Sequence, residues 1–80
     1  MSYFIYALIS ERYKTRYVGS TADIANRLQE HNNGRCRYTK GRRPWRLIHQ
    51  EEFITLSEAR KRERFLKSGV GRKELDNILI

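Results

Sequence analysis

Cysteine is nearly absent from this 80-residue sequence, which contains Cys36 alone. A single thiol cannot form an internal disulfide, so a reducing compartment is expected. No apolar run approaches the roughly 20 residues of a membrane-spanning helix, and no signal-peptide pattern is visible. We therefore expect a cytoplasmic protein that does not cross a membrane.

Acidic residues are also scarce, with 9 Asp and Glu against 17 Lys and Arg and a formal net charge of +8. Such a surplus of positive charge attracts polyanions, nucleic acid above all. The length leaves volume for one hydrophobic core, which predicts a single domain over residues 1–80. A protein partner and the oligomeric state are left open by composition.

The hydrophobic pattern predicts an α+β fold of element order β-β-α-β-α-α, with a three-stranded, mainly antiparallel sheet flanked by helices. The predicted strands cover 3–9, 15–18 and 45–53, and the predicted helices cover 23–32, 56–67 and 72–80. The first strand is apolar on both sides, which is typical of a strand that is covered on both faces. Gly19 is expected to end the second strand at a sharp turn or a close backbone approach.

The third strand alternates in a way that is typical of a sheet edge. Strict alternation places Leu47, His49, Glu51 and Phe53 on one face and Ile48 on the other. After it, Thr55 to Glu58 matches a capping box and opens the second helix.

Glu63 lies in the narrow apolar sector of this second helix, together with Leu56, Ala59 and Leu66. Cations occupy most of the remaining surface. An inward carboxylate must be compensated, either by a cation such as Arg27 or by a metal ion. Both interpretations are open from the residues alone.

A basic segment without acidic residues connects the first helix to the third strand. The residues of this segment that are predicted to contact nucleic acid are Arg35, Arg37, Tyr38, Lys40, Arg42 and Arg43. Cations interleaved with aromatic rings favour binding of phosphates and stacking of bases.

Several short motifs occur in an order that resembles a known family. They are Phe4-Ile5-Tyr6, Tyr17-Val18-Gly19, Arg27 and His31 one turn apart, and Glu63. Together they resemble the GIY-YIG nuclease domain, which includes the incision subunit of bacterial excision repair and small stand-alone bacterial proteins. Phe4 replaces the first glycine of the motif. The asparagine found after the family's glutamate has no clear counterpart: Leu75 stands near its position, and Asn77 lies two residues further along.

The resemblance implies a metal-dependent endonuclease acting on DNA. It implies that Tyr6 is the general base, that Tyr17 and Arg27 act on water and phosphate, and that Glu63 holds one divalent ion, Mg²⁺ or Mn²⁺. A free tyrosine has a pKa near 10, so this role requires a shift of about three units, for which Arg27 and His31 are candidate cations. We expect the five side chains to converge on one concave face. The alternative is a non-catalytic basic module that binds nucleic acid for a larger complex.

Overall fold

The computed structural model of the protein describes residues 2–79 and has the predicted element order β-β-α-β-α-α. The strands are β1 (Tyr3–Ser10), β2 (Arg16–Thr21) and β3 (Trp45–Phe53), and the helices are α1 (Ile24–Asn32), α2 (Leu56–Lys67) and α3 (Gly69–Ile78). Both pairings are antiparallel and the sheet order is β2-β1-β3, so β1 is central and β3 is an edge strand. The α+β prediction is confirmed.

The central strand separates two apolar clusters because both of its faces are hydrophobic. Ile5 and Ala7 point to one face and pack against α2 and α3. Tyr6 and Leu8 point to the other face, where they pack with Trp45 and with residues of α1. The helices therefore cover the sheet from both sides, and Tyr6 is directed toward α1.

A bulge in β3 changes which of its residues share a face. Ala7 pairs with His49 and Leu8 with Leu47, so Ile48 is an extra residue. Leu47 consequently packs in the Tyr6 cluster, while Ile48 packs with the α2 cluster. The prediction that Leu47 shares a face with His49 is wrong, because strict alternation takes no account of the bulge.

Strand β2 does not end at Gly19 but continues to Thr21. Gly19 pairs with Tyr6, and a Cβ atom at position 19 would lie 2.5 Å from the Tyr6 hydroxyl oxygen. The glycine is therefore required by a tyrosine side chain that lies across the strand. The predicted strand end was wrong, since the close approach comes from within the sheet.

Helix α1 is fixed at both ends by side-chain hydrogen bonds. Asp23 caps it by accepting from the backbone N–H of Asn26 at 3.1 Å. At the other end, the Asn32 side chain donates to the Trp45 carbonyl at 3.0 Å and accepts from the Trp45 N–H at 2.6 Å. These two bonds join the end of α1 to the start of β3, so the basic segment between them is held as a closed loop.

Helices α2 and α3 meet at a single residue. Thr55 is the predicted N-cap of α2: its hydroxyl accepts from the Glu58 N–H at 3.2 Å and donates to the Glu58 carboxylate at 3.0 Å. The Ser68 hydroxyl caps α3 by accepting from the Gly71 N–H at 3.2 Å. Because Ser68 provides this cap, α3 begins at Gly69 and not at position 72 as predicted. The predicted end of this helix, at residue 80, lies outside the described residues.

We predict that Gly71→Ala lowers the free energy of unfolding by about 3 kcal/mol or more, because the new methyl carbon would lie 1.8 Å from the Phe65 carbonyl oxygen, a backbone atom that cannot rotate away. Gly69→Ala is the matched control. No heavy atom lies within 4 Å of its added methyl group, so it should raise stability by up to about 1 kcal/mol. Urea denaturation of both variants measures the difference, and equal effects would contradict the tight α2–α3 contact.

Candidate active site

A buried line of hydrogen bonds runs from β1 through α1 to the basic loop. The Tyr6 hydroxyl lies 2.9 Å from His31 Nε2, and His31 Nδ1 lies 2.7 Å from the Thr39 hydroxyl. All three side chains are almost fully buried. The Thr39 hydroxyl in turn donates to the Cys36 carbonyl, so it accepts from His31 Nδ1–H. This arrangement leaves Nε2 as the acceptor and Tyr6 as the donor.

The electrostatics of this pair differ from the expectation. Burial raises the pKa of Tyr6 to about 12, against the lowering effect of the nearby Arg27 guanidinium. The expectation that neighbouring cations bring this pKa toward neutrality is therefore wrong for the free protein, because desolvation of the phenolate outweighs them. Burial, assisted by the charge of Arg27, lowers the pKa of His31. At neutral pH both groups are uncharged, with the proton on the tyrosine.

Tyr17 lies between this buried pair and the surface. Its ring centroid is 5.0 Å from that of His31, 6.3 Å from that of Tyr6 and 5.8 Å from that of Tyr38. Tyr38 is 83% exposed, whereas Tyr6 is 2% exposed. The three tyrosines are therefore increasingly buried, from Tyr38 at the surface through Tyr17 to Tyr6 in the interior.

Arg27 lies one turn before His31 on α1. Its guanidinium pairs with Glu30 at 3.2 Å, and about a third of its side chain is exposed. It is therefore close to the buried Tyr6 and also accessible to a ligand. Arg27 does not pair with Glu63. The cation that pairs with Glu63 is Lys67, so the ion-pair interpretation of the sequence holds with a different partner.

Glu63 reaches the site from the other side of the sheet. It lies on α2, and its carboxylate accepts from the Ser20 hydroxyl at 2.7 Å and from Lys67 Nζ at 2.8 Å. Burial alone would raise the pKa of Glu63, but these two hydrogen bonds hold it below its ordinary value. The carboxylate is thus charged and oriented at neutral pH.

The five predicted residues lie around β2, on both sides of the sheet. Tyr6, Tyr17, Arg27 and His31 lie on the α1 side, and Tyr6 lies across Gly19. Glu63 approaches the next residue, Ser20, from the α2 side. The first four therefore share one face of the sheet. Glu63 approaches the edge strand β2 from the opposite face.

Three residues that contribute to this geometry were missed from the sequence. Thr39 orients His31, Ser20 orients Glu63, and Lys67 joins Glu63 to the Tyr17 ring, with its ammonium 5.6 Å from the ring centroid. Lys67 was detectable, because it lies four residues after Glu63 on a helix. Thr39 and Ser20 carry no local signal.

A metal ion at Glu63 would have one protein carboxylate and no cage of protein ligands. Among residues 2–79 there is no group of three or more His, Cys, Asp or Glu side chains placed to hold a metal. Mg²⁺ is often held by one or two carboxylates, with water and substrate phosphate completing its shell. Each Glu63 oxygen has a second lone pair, and the Lys67 side chain is 48% exposed and able to move aside. The residues present fit such an ion.

All six predicted nucleic-acid contacts of the basic loop are exposed. The loop is anchored by the Ser10 hydroxyl, which donates to the Arg42 carbonyl at 2.7 Å, and by Trp45 Nε1–H, which donates to the Thr39 carbonyl at 2.9 Å. Arg43 is held by the Lys40 carbonyl at 2.8 Å. The loop therefore presents its cations on a fixed backbone beside Tyr17.

Leu75, which stands near the position of the family asparagine, is a buried core residue.

The chain is similar to known proteins in sequence and in fold. A UPF0213 protein of Listeria welshimeri is 51% identical over 65 residues, covering 80% of this chain and 71% of the relative. A UPF0213 protein of Staphylococcus aureus is 39% identical over 75 residues, covering 92% of this chain and 90% of the relative. The solution NMR structure of a UPF0213 protein from Bacillus halodurans superimposes with a TM-score of 0.59 at 30% identity, covering 98% of this chain and 85% of that one.

None of the helices in the described part of the chain is both long and apolar enough to cross a membrane.

The model of the GIY-YIG catalytic domain matches residues 2–76, nearly the whole chain. The chain belongs to the GIY-YIG catalytic domain family, and this membership indicates a nuclease.

Proposed function

We propose that the protein is an endonuclease that hydrolyses DNA phosphodiester bonds, with Tyr6 as the general base and Glu63 as the protein ligand of one divalent ion. One observation carries the proposal: the Tyr6 hydroxyl, bonded to a neutral His31, lies over Gly19, and the charged Glu63 bonds the next residue of β2, Ser20. A phosphate placed at that edge would be accessible to both.

The raised pKa of Tyr6 determines how it acts as a base. A phenolate is not available at neutral pH, because burial keeps the proton on Tyr6. We infer a relay in which Tyr6 takes a proton from the attacking water while its own proton passes to His31 Nε2. The water oxygen then bonds to phosphorus, the P–O3′ bond breaks, and the leaving O3′ oxygen takes a proton from solvent. Tyr6 ends neutral, and the imidazolium is held by Thr39, so the full three-unit shift is not required.

Arg27 and Tyr17 supply the remaining contacts to the phosphate. The guanidinium of Arg27 is planar and partly exposed, which suits bidentate binding of two phosphoryl oxygens. The half-buried Tyr17 lies beside the buried pair and would donate its hydroxyl to the same phosphate.

The metal-binding side of the site is formed by Glu63. A bound Mg²⁺ or Mn²⁺ would neutralise charge on the phosphate and on the leaving oxygen. Ser20 holds the carboxylate toward the edge of β2, so that its orientation does not depend on the ion.

The exposed loop supports DNA as the substrate, and it would serve a non-catalytic binding module equally well. Such a module has no use for a buried tyrosine–histidine–threonine line or for a carboxylate turned toward a polyanion. These two features favour the catalyst. Exposed cations without acidic neighbours are the expected surface for phosphate contacts that do not depend on sequence.

We predict that Glu63→Gln lowers cleavage by about 10²–10³-fold, because the amide keeps the shape but loses the charge that holds the ion. Its ion-pair partner Lys67 is half-exposed, so the stability change should stay below about 1 kcal/mol. DNA affinity in EDTA should be unchanged or higher. The three measurements are cleavage with Mg²⁺, melting temperature and binding without metal. A sharply lower melting temperature, or full cleavage, would reject the metal-ligand role.

We predict that replacing Arg42 and Arg43 by Ala reduces the salt dependence of DNA binding, since each lost phosphate contact removes about 0.9 from the log–log slope. The slope should fall by up to about two units. Replacing Lys61 and Lys73, two exposed lysines on α2 and α3, removes the same charge away from the loop. Equal effects of the two double variants would assign the loop to general attraction and not to contact.

We predict that cleavage is constant at neutral pH and falls only below pH 6.5, since the lowered pKa of His31 keeps the ring able to accept a proton. Stability should fall in the same range: unfolded histidine titrates near 6.5, so below this pH the unfolded state binds more protons and is favoured. The measurement is a pH profile of single-turnover cleavage. A rate that rises throughout the alkaline range would identify the Tyr6 phenolate as the base and exclude the relay.

A further inference from the structure

A groove of about 710 Å³ runs beside β2, starting next to the catalytic cluster and leading away from it. Its lining combines one strand, one loop and two helices: Thr15, Arg16, Tyr17, Val18, Tyr38, Leu66, Lys67, Arg72 and Leu75. Apart from Tyr17 and Tyr38, none of these residues was predicted to act in the site. The groove is therefore a second surface, on the α2–α3 side of Tyr17, and most of its residues lie outside the basic loop.

The chemistry of the lining is that of a nucleotide subsite. Tyr38 offers an 83% exposed ring at one side, which is the arrangement that stacks a base. The buried Val18, Leu66 and Leu75 make the floor apolar, whereas Lys67 and Arg72 are exposed. Among the lining cations, Lys67 pairs with Glu63 and Arg16 with Asp76, whereas Arg72 forms no ion pair within residues 2–79. No acidic side chain lines the groove itself. A flat apolar group attached to an anion fits this combination.

The volume is also suitable, since small-ligand sites occupy roughly 300–1,000 Å³. We infer that this groove binds one unpaired nucleotide of the DNA strand that is cleaved, with its base against Tyr38 and its phosphate on Arg72 and Lys67. The inference rests on the proposed function, because the strand would enter the groove from the phosphate held beside Tyr17.

The nucleotide must be unpaired for geometric reasons. A base held in a duplex presents only its edges to the protein, and its faces are covered by stacking neighbours. Contact with the face of Tyr38 and with an apolar floor therefore requires a base that has left the helix or was never paired. The groove would make the protein favour DNA with an unpaired segment next to the cut, and it would do so without reading sequence.

Binding in EDTA tests the inference without cleavage, with a labelled single-stranded 12-mer and the same 12-mer in a blunt duplex. Tyr38→Ala should lower the ratio of single-strand to duplex affinity about tenfold, the size expected for one lost base–aromatic stack. Tyr38→Phe should restore the ratio, because the ring is kept. Tyr13→Ala, which removes a half-exposed tyrosine outside the groove, should leave it unchanged.

Arg72 has a matched control in its neighbour on the same helix. Arg72→Gln should reduce the salt slope of single-strand binding by about 0.7, the value for one phosphate contact, whereas Lys73→Gln should not. An unchanged affinity ratio in Tyr38→Ala, or equal effects at positions 72 and 73, would overturn the inference. If the parent protein binds DNA but these variants behave alike, only the groove is rejected. If the parent protein binds neither form, the proposed function fails with it.

Discussion

The architecture depends on one contact, the Tyr6 side chain lying across Gly19 of the neighbouring strand. A methyl group at position 19 would stand 2.5 Å from the tyrosine hydroxyl, so any other residue there would displace the ring. Because Tyr6 lies across the strand, its buried hydroxyl sits over Gly19, where it bonds His31. The arrangement of Tyr6 and His31 therefore depends on the absence of a side chain at position 19.

Burial shifts the pKa values of Tyr6 and His31 in opposite directions. The result is a pair of neutral side chains. Desolvation raises the pKa of the phenol and lowers that of the imidazole, so neither is charged in the free protein. A neutral donor–acceptor pair is less costly to bury than a phenolate–imidazolium pair, which would need compensation on every side. Thr39 completes the arrangement by fixing the tautomer of His31.

The position of β2 at the sheet edge allows both faces of the sheet to contribute to one site. A carboxylate on α2 and a tyrosine directed toward α1 would be separated by the sheet if they met a central strand. At an edge they are separated only by Gly19 and Ser20, and Lys67 extends from Glu63 to the ring of Tyr17. The same open edge leaves room for the groove.

The sequence by itself determined the element order, the antiparallel α+β class and the identity of the motif residues, because these depend on local periodicity, capping signals and spacing along the chain. It placed Glu63 in an apolar sector correctly, but helix periodicity does not say which face of a sheet the helix covers. The bulge at Ile48 and the role of Gly19 were decided by contacts with residues far away in sequence, whereas the start of α3 was decided by the local cap of Ser68. The protonation of Tyr6 was decided in the same way, since counting nearby cations omits the desolvation that only a packed structure imposes. The contacts of Ser20 and Thr39 and the groove exist only because the fold brings strands, helices and the basic loop together from distant parts of the sequence.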